Sequence, residues 1–490
     1  MNIKKILLVS SLCTLAGCAF GADYKWNGTM SNWNTPDNWL VNNGTAEEPV
    51  WETATTAPGE GDSIVGNESV QQLAPTGPLV LGTFEMSSGT NWQVTPPAST
   101  AIDRIIVNSS NANGKLIFRG AGNVQAGTIE TVNGHFGFGS GGNTIGGLTV
   151  SQGVTLTGGN IDIAVSTSAL IDNVVRGDYS LGLVTFAGSG RSLNLAQTAT
   201  LRGYNLEAFA TVSGLVTNEG ITNSKISAGA TAVSSATQSA SPGVNVSHLY
   251  IDVAAGQSYS ANVSLQDTTQ QDSILGDVGT KVNTLSLTKV GEGTQVLSAT
   301  NSNYTGGTTI SAGTLLVTNA TGYSLGYGNA VVEAGGTLGG TGVVNLSTSN
   351  TLTVAADGTL LGGMGDAVSG TLTISSDVVM AEGSNIAIVL GASGAHSSIA
   401  FDGDLSAGNI NLVIIDEGLS EGLYEGIITG LNVDPGVANW TVGGIDSEKW
   451  LAELSYNNGS VDLAVSAIPE PAAAFAIGAL ALLAVLRRRR

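Results

Sequence analysis

Residues 285–342, LSLTKVGEGTQVLSATNSNYTGGTTISAGTLLVTNATGYSLGYGNAVVEAGGTLGGTG, constrain the fold most strongly. Short Val, Leu, Ile and Thr runs alternate there with glycine-rich corners, and no helical period intervenes. A two-residue period reads as strand. Leu285, Leu287, Val296, Ile310, Leu315, Val317, Val331 and Leu338 mark the expected inward positions. Gly291, Gly307, Gly313, Gly322 and Gly335 stand among the breaks, where the chain must turn through conformations that favour glycine. Strands this short, joined by corners this tight, bury their apolar side chains by coiling, each turn stacked on the next. The expected class is all-β, a parallel β-helix or β-solenoid.

Within this stretch, Leu287-Thr288-Lys289-Val290-Gly291-Glu292-Gly293-Thr294, Asn303-Tyr304-Thr305-Gly306-Gly307-Thr308-Thr309-Ile310 and Ala312-Gly313-Thr314-Leu315 together resemble the autotransporter-associated β-strand repeat of bacterial surface passenger regions. The resemblance implies a right-handed parallel β-helix displayed outside the cytoplasm, and no chemistry. The pattern departs at Gln295, where the family usually has an apolar residue, and at Ser302, an added residue. Both are expected to sit at corners.

The remaining organisation follows in chain order. Residues 1–22 read as a secretory signal handled by the Sec translocon: Lys4 and Lys5 precede a short apolar core, then small residues. Leu15-Ala16-Gly17-Cys18 also resembles a lipobox, which would make Cys18 a lipidation site and the protein an outer-membrane lipoprotein. The only two cysteines, Cys13 and Cys18, lie in this segment, so the exported body has neither disulfide nor thiol nucleophile. Residues 23–63 carry Trp26, Trp33 and Trp39 and resemble the opening of secreted β-helix proteins. Two roles are open for these rings: an aromatic cap on the first rung, or a platform for glycan contact.

Residues 64–370 supply short strands spaced by Gly, Asn and Ser, as in Lys115-Leu116-Ile117-Phe118 and Ser192-Leu193-Asn194-Leu195. Three sides make a rung of roughly 20–25 residues. Over roughly 400 residues, about 16–20 such rungs stacked at ~4.8 Å give a rod on the order of 80–95 Å long. Residues 371–467 are expected to form a small antiparallel or sandwich-like cap, with Asn458-Gly459 as a tight hairpin turn.

Residues 468–490 end the chain with Pro469-Glu470-Pro471, an apolar run from Ala472 to Leu486, and Arg487, Arg488, Arg489 and Arg490. The apolar run reads as a short transmembrane helix whose arginines stay in the cytoplasm. This order resembles the PEP-CTERM sorting signal. The resemblance implies an exosortase partner, transient anchoring in the cytoplasmic membrane, cleavage near Pro469, Glu470 and Pro471, and passage to the cell surface or matrix. No translocator barrel follows in this sequence, so self-transport is not expected.

Charge and chemistry narrow the function. Of the 17 basic residues, six lie in the two terminal segments, and the formal net charge is −21. Such a body repels nucleic acid and anionic head groups. His135, His248 and His396 are far apart in sequence and are expected in solvated loops. No zinc spacing, nucleophile elbow or phosphate loop occurs. No cofactor, metal or catalytic residue is therefore assigned. The enzymatic rival is a β-helix polysaccharide lyase or glycosidase, with Asp162, Asp172 and Asp178 near Arg176 and Arg191 as its acids and bases. A calcium role for Asp402, Asp404 and Asp416 lacks any calcium-loop pattern. The expected function is a non-enzymatic surface or matrix protein of a Gram-negative-type bacterium, engaged in adhesion or in exopolysaccharide and biofilm association.

Overall fold

A computed structural model of the chain describes residues 21–27, 32–66, 73–119, 122–138, 147–163, 170–171, 174–195, 205–229, 245–271 and 280–468. Cys18, Pro469, Glu470, Pro471 and the four terminal arginines, with the expected signal core and transmembrane helix, lie outside these residues. Among the described residues the chain is all-β, broken only by three-residue 3-10 turns. No helix there is long and apolar enough to cross a membrane.

The strands stack in parallel, rung upon rung. Along one face Phe84 pairs with Ile105, Ile105 with Ile129, Ile129 with Val154, Val154 with Val184 and Val184 with Leu215. A second face carries Trp92, Leu116, Phe136, Ile161, Leu193, Ile226 and Leu265 in register. A third carries Leu315, Leu338, Leu360, Ile386 and Leu412. Every side chain in these columns is buried, and the columns merge in one core running from Tyr24 to Val465. An apolar residue recurs at the same strand position of each rung because an inward side chain packs on its equivalents one rung above and below.

Rung length varies more than expected. From Thr308 to Ala330 to Leu352 the step is 22 residues, within the expected range. From Val154 to Val184 it is 30, and from Leu249 to Leu287 it is 38. Long rungs use up chain, so the main face holds 15 levels among the described residues, fewer than 16–20. At ~4.8 Å per step the stack is about 65–70 Å long.

The parallel stack also continues past residue 370. Thr371–Ile374 pairs in parallel with Ser398–Phe401, and Asn411–Asp416 with Thr441–Gly443. Antiparallel strand pairing joins Gly422–Thr429 and Trp450–Asn457 to Ser460–Ala467, which lies between them. The Asn458-Gly459 turn has φ of 51° and 92° at its two residues, the pairing of positive values that a type I′ hairpin requires.

Two alternation phases differ from the sequence reading. Leu285, Leu287, Ile310, Leu315, Val317 and Leu338 are buried, but Val296 and Val331 are partly exposed. In their strands Gln295 with Leu297, and Ala330 with Val332, point inward instead. A one-residue slip exchanges the two faces of a strand. Gln295 therefore sits mid-strand in the core, not at a corner.

Candidate functional site

The three N-terminal tryptophans are closed to ligand. Trp26, Trp33 and Trp39 are 1%, 2% and 0% exposed. Trp39 meets Trp26 edge-on at 4.8 Å and Trp33 at 5.0 Å, and its Nε1–H donates to the Trp33 carbonyl at 2.8 Å. Trp26 in turn lies 6.4 Å from Trp92 in the next layers. Sugar stacking needs an open ring face, so the glycan-platform role for these residues is corrected: their faces and edges are used by one another.

Of the acids considered for lyase chemistry, Asp172 lies outside the described residues, while Asp162 and Asp178 stand on strands of different sheets, Ile161–Ile163 and Val174–Ser180. Asp162 accepts from Asn194 Nδ2 at 2.7 Å, and Asn194 Oδ1 accepts from Ser227 Oγ at 2.7 Å, an outward ladder across three rungs. Arg191 donates to the Gly158 carbonyl at 2.9 Å. Asp402 accepts from Ser375 Oγ, Asp404 from Asn432 Nδ2, and Asp416 from the amides of Gly418 and Leu419. No group of three metal-ligating side chains occurs among the described residues.

The histidines are not loop residues. His135 opens the strand His135–Phe138, and its Nδ1 accepts from the Asn160 amide at 3.2 Å. His396 bridges to Leu390 and bonds the Ser397 carbonyl. His248 lies mid-strand in Asn245–Asp252, its ring stacked on Phe209 at 4.7 Å and 14°. Burial holds both His135 and His248 below the usual imidazole range, against the pull of Asp162 and Glu207 respectively. His248 Nδ1 also lies 2.8 Å from Ser286 Oγ. That pair is a rung-to-rung contact, since His248 and Ser286 are register partners on neighbouring parallel strands.

Around His248 the outer face forms an aromatic shelf that sequence reasoning missed. Asp178, Phe209, His248 and Ser286 are successive register partners, and so are Thr149, Ser180, Thr211, Tyr250 and Thr288. Phe209 stacks within 6.5 Å of Tyr250 as well. All three rings are only partly buried. Beside them, a groove of about 460 Å³ is lined by Leu148, Thr149, Asp178, Tyr179, Ser180, Phe209, Thr211 and Tyr250. The available signal was an aromatic residue on the polar phase of a strand: Phe209 between Ala208 and Ala210, and Tyr250 between Leu249 and Ile251.

Several buried polar groups hold the rungs between residues 287 and 317. Lys289 is an inward core residue at 0% exposure, in register with Ile251 and Ile310. Its Nζ donates to the carbonyls of Val290, Gly291 and Ala312 at 2.7, 2.6 and 3.3 Å, closing a corner from inside. Burial lowers its pKa to about 8, against the opposing pull of Asp252 and Glu292. Gln295 accepts from the Leu215 amide at 2.9 Å and donates to the carbonyls of Leu215 and Val296 at 3.0 Å and of Tyr259 at 3.2 Å. Ser302, buried, accepts from the Leu265 amide at 3.1 Å. Tyr304 is buried with its hydroxyl 2.5 Å from Thr308 Oγ1. Asp267 accepts from the amides of Leu285 and Thr305, and burial raises its pKa.

Fold and surface together define a passenger-like parallel β-solenoid: a continuous apolar core, polar corner locks and hydroxyl-rich outer faces. A family model described as the passenger-associated-transport-repeat matches residues 287–317. This is the repeat of exported or surface-displayed passenger regions, and it spans the strands from the end of Thr280–Val290 through Gly313–Val317. No curated protein matches the chain.

Proposed function

We propose that the chain is an exported, non-enzymatic surface protein whose β-solenoid displays its outer faces to extracellular polysaccharide. The observation that carries this reading is the passenger repeat itself. It is built into the coil as ordinary rungs, and its buried polar groups hydrogen-bond to the coil's own backbone and side chains. Sec-dependent export through the N-terminal segment brings the body out. The Pro469-Glu470-Pro471 tail then holds it at the cytoplasmic membrane until an exosortase releases it to the surface.

Intact mass measurement on protein recovered from the cell surface tests the reading. The expected C-terminus lies near residues 469–471, and replacing Pro469, Glu470 and Pro471 by alanine retains the tail. A wild-type protein still ending at Arg490 refutes the sorting step. A diacylglyceryl adduct on Cys18 places the anchor at the other end. Release of new reducing or unsaturated ends from a panel of polysaccharides would favour a lyase or glycosidase.

A further inference from the structure

The aromatic shelf has a direction. On one side Phe209 is covered by His248, its ring partner on the following rung. On the preceding rung its register partner is Asp178, a shorter and exposed side chain. The stack therefore steps down from two rings to a carboxylate and three short hydroxyl side chains, Thr149, Ser180 and Thr211, and the groove lies at the step. Its floor is Leu148 and Tyr179, both buried. The four rungs that line it span three steps of ~4.8 Å, on the order of 14 Å, which accommodates a short run of sugar units.

We infer that this groove binds a neutral pyranose chain, an assignment that rests on the surface-polysaccharide reading above. A pyranose has an apolar C–H face and an equatorial rim of hydroxyls. Phe209 and Tyr250 supply apolar surface at low cost in side-chain entropy. Asp178 is an acceptor for sugar hydroxyls, and Thr149, Ser180 and Thr211 both donate and accept. No lining residue is basic, and the chain carries a formal net charge of −21, so a uronic-acid or sulfated chain is repelled. A neutral chain carries no such penalty.

The test uses the mature protein recovered from its native cells and titrated with cellohexaose, maltohexaose, mannohexaose, an alginate hexamer and hexalysine. At least one neutral hexaose should bind saturably, and alginate should not. Phe209→Ala and Tyr250→Ala should each weaken that binding by about tenfold, as truncation of an aromatic anchor does. Both variants should still unfold cooperatively with only a small fall in midpoint, because the rings lie partly buried on the outer face and leave the core untouched. Phe209→Trp, which keeps the ring, should bind as well as wild type and guards against loss through misfolding. Asp178→Asn keeps an acceptor and should hold the neutral affinity within about threefold. Tight hexalysine binding that Asp178→Asn abolishes would overturn the assignment in favour of a basic peptide. Surface-localised protein that binds no neutral hexaose also overturns it and leaves surface display standing. Protein that never reaches the surface instead fails the display reading.

Discussion

Gln295→Leu is the sharpest probe of how this coil is held. The residue lies in a column continued by Leu315, Leu338 and Leu360, so an apolar replacement matches its neighbours. On hydrophobic grounds alone it should stabilise by about 1–2 kcal/mol. The structure predicts the opposite. The Gln295 amide serves the buried Leu215 N–H and C=O, 80 residues away in sequence, and also the Tyr259 carbonyl. A leucine would leave the two Leu215 groups against hydrocarbon, at about 1–3 kcal/mol each. The net expectation is a loss of ~1–4 kcal/mol. Denaturant unfolding reads the total, and amide hydrogen exchange at Leu215 reads the local effect, which should show faster exchange. A variant at least as stable as wild type, with Leu215 exchange unchanged, would refute the reasoning.

Further expectations concern pH and the C-terminal hairpin. The folded Lys289 amine releases its proton near pH 8 while the unfolded one holds it to 10.5, so stability should rise between these values by on the order of 1–2 kcal/mol. Urea midpoints at pH 7.5 and 9.5 measure the rise, and Lys289→Met should remove it. Above pH 10 the sign reverses: burial holds the Tyr179 and Tyr304 hydroxyls above the usual tyrosine range, so the unfolded chain deprotonates first and stability falls. Below pH 6.5 the unfolded chain protonates His135 and His248 before the folded one does, so stability should drop as pH falls, with imidazole NMR shifts reporting the lowered folded values. Gly459→Ala, at φ 92°, should cost about 1–2 kcal/mol, read as faster exchange across Trp450–Asn457.

The coil was legible because its requirements are local. Gly313 shows this: at φ 62° it turns a corner where an added Cβ would lie 2.3 Å from the Gly291 carbonyl oxygen. Asn458-Gly459 signals its hairpin in the same way. The phase of short strands was less legible. Val296 and Gln295 compete for one inward position, and only the distant Leu215 backbone decides that the amide wins. Lys289 looks like a surface residue until the corner carbonyls that receive it are in place. The aromatic shelf was hidden for a related reason. Asp178, Phe209, His248 and Ser286 lie 30 to 40 residues apart, and steps that range from 21 to 39 residues along this face conceal their alignment. The N-terminal tryptophans show the converse: rings that suit sugars by composition are consumed in packing.

Protease shaving of intact native cells, with the released peptides identified by mass spectrometry, tests the central claim of surface display most directly. Peptides from the 23–467 body should appear from unbroken cells, while a cytoplasmic marker protein stays intact. Body peptides that appear only after lysis would contradict it.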